Sequence, residues 1–423
     1  MARFAEVLKN KNFFLLWLGQ IISQFGDKLT QMALIALVYQ RAPGSALQLA
    51  KVISFTIIPV FIIGPLAGVY VDRWDRRKTM YICDVLRCLF VLLIPLSMFF
   101  YKDLILSIYI IVFLIFCIGR FFVPAKMSII PDLVEEKDLL LANSLFTNTG
   151  MIAAVLGLGL SGILVFWVGA KGGFYLDSLT FLISGICIFL ISKKIGSFKK
   201  ESIVTVSKEV LEVIQKSVAG EMKEGILYLV RHKELRFVIG ILFLLWAALG
   251  SIYTVIIVFV QQSLHSVTRD LGILGMFIGA GLFVGSLIYG RFGQKMSLFK
   301  TIFLSLSSSG IVLAVFAFVL KVAPSFSSAA VLVFILGVFA SPIVIACTTL
   351  VHQVSHNEMR GKIFSSLEII NHFAFLVFMF ISALIADKVG QDKILIGVGV
   401  ILIISGILGL IFDDKNRREK RIN

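Results

Sequence analysis

One long apolar segment near the N-terminus carries five polar side chains that share a face at helical spacing. These are Gln20, Ser23, Gln24, Asp27 and Gln31. Asp27 lies near the middle of the segment, where a carboxylate is costly in hydrocarbon and must face protein or water. Such a group can carry a proton or contact a polar substrate. The alternative is structural, with Asp27 paired to Lys28 or to a polar group on a neighbouring helix.

A later apolar segment carries a second polar cluster, formed by Ser365, Glu368, Asn371 and His372. Glu368 and His372 are four residues apart, so their side chains can meet on one helix face. A Glu-His pair can relay protons. It can also hold its helix against the loop between the second and third helices, and both interpretations remain open.

Aromatic and charged pairs occur in other segments. Trp246 and Tyr253 are seven residues apart and share a face, which suits a bulky amphipathic or cationic ligand or ordinary core packing. Asp84 and Arg87 are three apart and are predicted to form a structural charge pair. Asp177 follows two glycines and is predicted to cap the start of a helix.

The sequence lacks motifs that would indicate an enzyme or an ATP-driven pump. Gly361-Lys362 is followed by Ile363, without the earlier glycine that a phosphate-binding loop needs. His352 and His356 have a spacing compatible with zinc, but no third ligand is visible. We therefore expect no catalytic residue, no metal and no cofactor.

The elements that position these side chains are membrane-spanning helices. The chain has 423 residues, of which 58% are hydrophobic and 15% charged, and its mean hydropathy is +0.97. Apolar runs of about 20 residues or more recur along it, each long enough to cross a bilayer. They lack the alternation of barrel strands, so the prediction is an all-α polytopic protein. Twelve spans are predicted, at approximately 12–39, 47–71, 79–101, 104–124, 139–167, 173–193, 235–262, 270–291, 298–320, 326–351, 362–386 and 393–412.

The formal charge of +15 is explained by topology. Most Lys and Arg residues fall in the termini and the even-numbered loops, which places both termini in the cytoplasm and gives no reason to expect nucleic acid. The predicted domains are a first six-helix bundle (1–193), a cytoplasmic linker with an amphipathic helix (194–234), a second bundle (235–412) and a basic tail (413–423).

The loop between the second and third spans contains the most specific motif. Gly64 to Lys78 reads Gly-Pro-Leu-Ala-Gly-Val-Tyr-Val-Asp-Arg-Trp-Asp-Arg-Arg-Lys. It is similar to the loop signature of the major facilitator superfamily at every defined position. Leu16 to Gln20, Pro124-Ala125-Lys126 and Arg360 to Phe364 resemble the subgroup that contains macrolide-efflux proteins and the enterobactin exporter.

The resemblance implies two six-helix bundles that alternate access to a site near the bilayer midplane. It also implies that Gly68 packs the second helix against the eleventh, and that a cytoplasmic charge lock favours the outward-open state. The lock would consist of Asp72, Arg73, Arg76 and Arg77, with Arg120 as a partner of Asp72. The alternative is that the basic residues bind phospholipid headgroups.

The function expected on this basis is proton-driven export of a hydrophobic or amphipathic small molecule, in which Asp27, with Glu368, takes up external protons. The alternative is a lysophospholipid transporter, because Phe25-Gly26-Asp27-Lys28 also resembles those flippases. A sensor or scaffold without transport is a third class. We expect a monomer in a bacterial cytoplasmic membrane.

Overall fold

The computed structural model describes residues 2–71, 73–100, 105–192, 233–293, 296–354 and 360–422. Throughout these ranges the chain is helical, with short connections. A short helix, Ala2–Lys9, precedes the spans. Helices 1 to 4 are Lys11–Arg41, Ala46–Ile62 continued by Gly64–Val71, Arg76–Phe100 and Ile105–Leu133. Helices 5 and 6 are the parts of Leu139–Phe189 before and after Gly169. Helices 7 to 12 are Lys233–Leu264, Arg269–Phe292, Leu298–Val322, Phe326–Val354, Arg360–Val389 and Gln391–Ile422.

The twelve predicted spans are confirmed in the described part of the chain. Nine of its helical segments are long and apolar enough to cross a bilayer. One of them, 136–189, contains two spans because Gly169 interrupts it with φ 74° and ψ 174°. Helix 1, which carries the polar face, and the two-part helix 2 complete the set.

Several boundaries differ from the sequence prediction for identifiable reasons. Helix 2 is interrupted at Ile63, just before Pro65, which has no N–H to continue the helical ladder. Helix 4 continues past Pro124 to Leu133, because its last two turns pack into the core of the first bundle. Helix 12 continues through the predicted basic tail to Ile422. The predicted linker, 194–234, lies almost entirely outside the described residues.

Two compact units are present. Unit 1 comprises residues 1–38 and 52–220, and unit 2 comprises 39–51 and 221–423. Helices 1 to 6 form the first bundle and helices 7 to 12 the second. The end of helix 1, the following loop and the first turn of helix 2 group with unit 2.

A hydrophobic core of unit 1 includes the short N-terminal helix. Val7 is buried there together with Phe13, Met80 and Ile129. Asn10 joins two helix ends, since its Oδ1 accepts from the Phe13 N–H at 3.2 Å and its Nδ2 donates to the Leu133 carbonyl at 2.7 Å. One side chain thus caps the start of helix 1 and the end of helix 4.

In unit 2, a carboxylate of helix 11 caps the start of helix 2. Asp387 accepts from the Ser45 hydroxyl and the Ala46 N–H, both at 2.9 Å, and from the Leu47 N–H at 3.4 Å. Ser45 in turn accepts from the Gln48 N–H at 3.2 Å. These bonds satisfy backbone donors that the first turn of a helix leaves open, and the negative charge suits that end of the helix dipole.

Replacing Asp387 with Ala removes this cap. We expect the free energy of unfolding to fall by about 1 kcal/mol, the usual effect of losing an N-cap acceptor. Thermal unfolding of the purified protein in detergent measures it. Lys388→Ala, at the adjacent exposed position, is the control and should leave stability unchanged. Equal stability of the two variants would show that the Asp387 bonds contribute nothing.

Candidate functional site

A cluster of charged side chains surrounds one guanidinium inside unit 1. Arg87 of helix 3 donates to a carboxylate oxygen of Asp27 on helix 1, and the two side chains are 7% and 39% exposed. The guanidinium also lies over the Phe181 ring of helix 6, with Cζ 3.9 Å from the ring centroid. On helix 4, Gly119 lies beside the guanidinium, since a methyl group built there would be in ordinary van der Waals contact with Cζ at 3.7 Å. Arg87 is therefore enclosed by the bundle, and Asp27 is its accessible partner.

Two more carboxylates interact electrostatically with Arg87, and both are fully buried. Asp84 of helix 3 accepts from the Ser184 hydroxyl at 2.6 Å. Its second oxygen has no hydrogen-bond partner among the described residues. Asp177 of helix 6 accepts from the hydroxyl of Thr30 on helix 1. These bonds hold helices 1, 3 and 6 around the guanidinium.

Helices 1 and 6 approach closely beside Asp177. A methyl group built on Gly26 would lie 1.9 Å from Thr180 Oγ1 and 2.2 Å from Asp177 Oδ1, so no larger residue fits without moving helix 6. Thr180 also donates to Asp177, at 3.1 Å. The glycine one residue before Asp27 therefore sets the spacing that brings the three carboxylates together.

The cluster contains more carboxylates than cations. Arg87 faces Asp27, Asp84 and Asp177, and Lys126 of helix 4 interacts electrostatically with Asp27. Among the described residues, two cations therefore face three carboxylates. An uncompensated buried charge costs several kcal/mol. The cluster thus has one carboxylate in excess of its cations.

Some sequence predictions about this cluster need correction. Arg87 binds Asp27, whereas Asp84, its predicted partner, binds Ser184 and remains in Arg87's electrostatic environment. Asp177 is a buried cluster member and not a helix cap, because helix 6 begins after Gly169. Asp27 pairs with Arg87 on a neighbouring helix, which is the contact that the structural interpretation expects, and its role as a proton carrier or substrate contact stays a prediction.

Sequence reasoning missed the role of two residues. Asp177 lies well inside an apolar span, and this was the same signal that singled out Asp27. Lys126 was noted only as part of a family-like motif. Its position, two residues after Pro124 in the extended helix 4, became clear only with the longer boundary.

The remaining polar residues of helix 1 lie at helix contacts. Gln20 is buried, and its Oε1 has no hydrogen-bond partner in the described ranges. Gln24 lies against helix 5, with Oε1 3.4 Å from a methyl group built on Gly150. Ser23 is buried, and Gln31 is half-buried. The predicted polar face is therefore turned toward the bundle.

The basic residues of the helix 2–3 loop bind helix ends inside unit 1. Arg76 donates to the Ser128 carbonyl at 2.7 Å and to Asp132 at 2.9 Å, both near the end of helix 4. Arg77 is buried and donates to the carbonyls of Ile188, at 3.3 Å, and Phe189, at the end of helix 6. Cations at these carbonyl ends complement the helix dipoles.

Other parts of the loop motif are only partly described. Gly64 begins the second segment of helix 2, Gly68 lies within it, and Arg73 follows it half-buried. Asp72 lies outside the described residues, as do the surroundings of Gly68. Arg120, the predicted partner of Asp72, is half-buried on helix 4.

Unit 2 contains a cavity of about 410 Å³ between helices 7, 10 and 11. Its walls are mainly apolar, including Leu245 and Val344. The predicted polar cluster of helix 11 lines one side through Glu368, Asn371 and His372. Sequence spacing therefore identified the polar side of the cavity.

Aromatic side chains connect helices 7 and 11 at this cavity. The ring centroids of Trp246 and His372 are 5.7 Å apart, and those of Tyr253 and Phe375 are 5.5 Å apart. Tyr253 is not among the cavity-lining residues, whereas Trp246 is. Close packing is possible because Gly250 approaches the Phe375 backbone, where a methyl group would lie 2.2 Å from the carbonyl oxygen.

His372 contacts the main chain of Glu368. Its Nδ1 lies 2.8 Å from the Glu368 carbonyl oxygen, which can only accept, so Nδ1 carries the hydrogen. Among the described residues, no basic side chain pairs with the Glu368 carboxylate. The predicted side-chain contact between these residues is thus replaced by a helical side-chain-to-backbone bond.

Removing the central cation should destabilise unit 1 more than removing its accessible partner. Arg87→Met leaves buried carboxylates without compensation, and we expect a loss of about 3 kcal/mol or more in unfolding free energy. Asp27→Asn should cost less, because Asp84 and Asp177 still compensate Arg87. Thermal unfolding in detergent compares them, and a smaller loss for Arg87→Met than for Asp27→Asn would contradict this account.

Comparison with known proteins places this architecture in a family. The family model for the Major Facilitator Superfamily matches residues 16–318 and 238–423. Macrolide efflux protein A of Streptococcus pyogenes is 33% identical over 128 residues, which are 30% of this chain and 31% of that protein. The putative bacilysin exporter BacE of Bacillus subtilis is 30% identical over 182 residues, which are 42% of this chain and 43% of that protein.

The chain therefore aligns with less than half the length of these curated relatives. One solved structure aligns with far more of the chain than these relatives do. The crystal structure of a bacterial homologue of the iron transporter ferroportin, in an inward-facing state, superposes with a TM-score of 0.71 at 15% identity, covering 94% of this chain and 98% of that one. This likeness shows the fold. With the family model matching almost the entire sequence, the chain belongs to the major facilitator superfamily of membrane transporters.

Proposed function

We propose that this protein exports a hydrophobic or amphipathic small molecule by alternating access, in exchange for protons. The observation that carries the proposal is the excess of carboxylates around Arg87 inside the membrane-spanning bundle. A fixed structural pair would need one carboxylate. Three carboxylates around one buried guanidinium form a site whose electrostatic balance depends on a proton.

Asp27 is the proposed entry point for the proton. It is the exposed member of the cluster, whereas Asp84 and Asp177 are fully buried. A proton on Asp27 cancels its attraction to Arg87 and leaves the guanidinium with the two buried carboxylates. Proton binding and the Asp27–Arg87 ion pair are thus alternative states, which gives the carrier two arrangements to couple to opposite orientations.

The direction and cargo rest on the relatives and on the cavity of unit 2. Two of the relatives are named as efflux or export proteins, for a macrolide and, as a putative role, for bacilysin. The cavity, mainly apolar with a polar side, is within the usual size range for a small-molecule site. None of the relatives or structures described above carries a lysophospholipid name, so we do not propose that alternative further.

The proposed setting is a bacterial cytoplasmic membrane, with a monomeric carrier and both termini in the cytoplasm. The distribution of Lys and Arg supports the orientation. The Gly64–Lys78 loop would then lie on the cytoplasmic side, where we propose that Asp72 and Arg73 act with Arg76, Arg77 and Arg120 as a lock between transport states.

Asp27→Asn should separate coupling from substrate movement. In proteoliposomes with an imposed pH gradient and a radiolabelled macrolide as probe, the wild type should accumulate the probe against its gradient. The variant should only equilibrate it, because an amide cannot carry the proton. Exchange of labelled for unlabelled macrolide without a pH gradient should persist in the variant.

Glu136→Gln is the matched control, since Glu136 is an exposed carboxylate in the loop after helix 4. It should retain uphill accumulation. Uphill accumulation by Asp27→Asn at the wild-type level would exclude Asp27 as the coupling carboxylate.

Asp72→Asn tests the proposed lock. In a variant without native cysteines, labelling of Gln24→Cys on the polar face of helix 1 with an impermeant maleimide reports access to that face from outside. Loss of the lock should slow external labelling, because the outward-open state is no longer favoured. Lys78→Gln is the control, as Lys78 is exposed and forms an ion pair with Asp75, its neighbour in the loop. Unchanged labelling in Asp72→Asn would reject the lock.

A further inference from the structure

The cavity of unit 2 is lined by two residues, Glu368 and Asn371, whose side-chain oxygens lack partners among the described residues. Glu368 lines it and is exposed, and within the described ranges its carboxylate forms no ion pair. It is the third residue of the apolar segment Ser366–Val389. A carboxylate that faces a mainly apolar cavity is favoured when a counter-charge compensates it. In unit 1 Arg87 compensates Asp27, whereas no basic side chain among the described residues of unit 2 pairs with Glu368.

A second, independent observation concerns Asn371. Its Oδ1 is buried and has no hydrogen-bond partner in the described part of the chain. An orphaned buried acceptor costs about 1–3 kcal/mol. Asn371 lies one helical turn after Glu368 and lines the same cavity. The Glu368 carboxylate therefore lacks a positively charged hydrogen-bond donor, whereas the Asn371 oxygen, which has no accessible surface, reaches the cavity only when its side chain turns.

The rest of the cavity limits the shape of a ligand that could supply this donor. The Trp246 ring lies on one side, next to His372, and aliphatic side chains such as Leu245 and Leu367 form much of the remaining wall. An indole face attracts a cation electrostatically, and the aliphatic wall favours an apolar body. A volume of about 410 Å³ holds a compact ring system with a short polar arm.

We propose that this cavity is a binding subsite for a protonated amphipathic amine, in which the Glu368 carboxylate binds the ammonium group, the Asn371 side chain turns to accept from it, and the apolar wall with Trp246 holds the body. The inference rests on the proposed export function and specifies its cargo class. Glu368 is then a substrate anchor, in place of the proton relay or helix latch that its spacing to His372 allowed.

Ligands with one shape and different charge test the proposal. The probes are 1-naphthylmethylamine, 1-naphthalenemethanol and 1-naphthoic acid, which carry positive, neutral and negative heads at pH 7 on the same ring system. Binding is measured by calorimetry on the full-length protein in nanodiscs, against empty nanodiscs. We expect the amine to bind about tenfold or more tightly than the alcohol, as one charge-assisted bond predicts. The acid should bind most weakly.

Glu368→Gln should abolish the preference for the amine while leaving the affinity for the alcohol near that of the wild type. The variant is compared only after thermal unfolding shows a wild-type midpoint, and Glu368→Asp replaces it if the midpoint falls, with a reduced preference expected. Glu136→Gln, in the exposed loop, should retain the full preference. Trp246→Leu should weaken binding of the amine more than binding of the alcohol.

Two results would overturn the inference. One is equal wild-type affinity for the amine and the alcohol, which would make the cavity a non-selective apolar pocket. The other is an undiminished amine preference in Glu368→Gln. Neither depends on transport, because the nanodiscs have no pH gradient. Failure of the proposed export function would instead appear as absent pH-driven accumulation of the macrolide probe by the wild type, with the amine preference intact.

Discussion

The structure of unit 1 depends on keeping one guanidinium in the interior of a membrane bundle. Arg87 cannot be left without counter-charge there, so helices 1, 3 and 6 each provide an aspartate, and hydroxyl groups hold the two buried ones. Gly26 allows helices 1 and 6 to approach closely beside Asp177. Helix spacing, side-chain chemistry and burial thus follow from one electrostatic requirement.

The two units solve the problem of intramembrane polarity differently. Unit 1 compensates Arg87 with three aspartates of its own. In unit 2, Glu368 and Asn371 line a cavity with Trp246 on its wall, and the Asn371 oxygen has no hydrogen-bond partner in the described part of the chain. In the transport cycle that we propose, proton chemistry and cargo binding would therefore lie in different halves.

Much of the fold was predictable because bilayer thickness fixes the length of an apolar run, and glycine, proline and charge mark its ends. Asp27, Glu368, Asn371 and Trp246 were identifiable because polar or aromatic groups at regular spacing stand out in such runs. The partners of these side chains were not identifiable from the sequence. Spacing within helix 3 predicted a pair of Arg87 with Asp84, but the packing of helix 3 against helix 1 places Asp27 at the guanidinium. The break at Gly169 and not at the Gly172-Gly173 pair moved Asp177 from a helix end into the cluster.

The Asp387 cap has a consequence for how the polypeptide is divided. Residues 39–51 belong to unit 2 by packing but to the first six spans by sequence. The chain therefore passes between the units near residues 38, 51 and 220, and only the last passage is in the predicted linker. Cutting that linker would not yield two self-contained halves. The N-terminal fragment would carry residues 39–51, which pack in unit 2. In the C-terminal fragment, Asp387 would lose the backbone donors of helix 2 that it caps. Each fragment would therefore need the other to complete its packing, as in a domain-swapped protein.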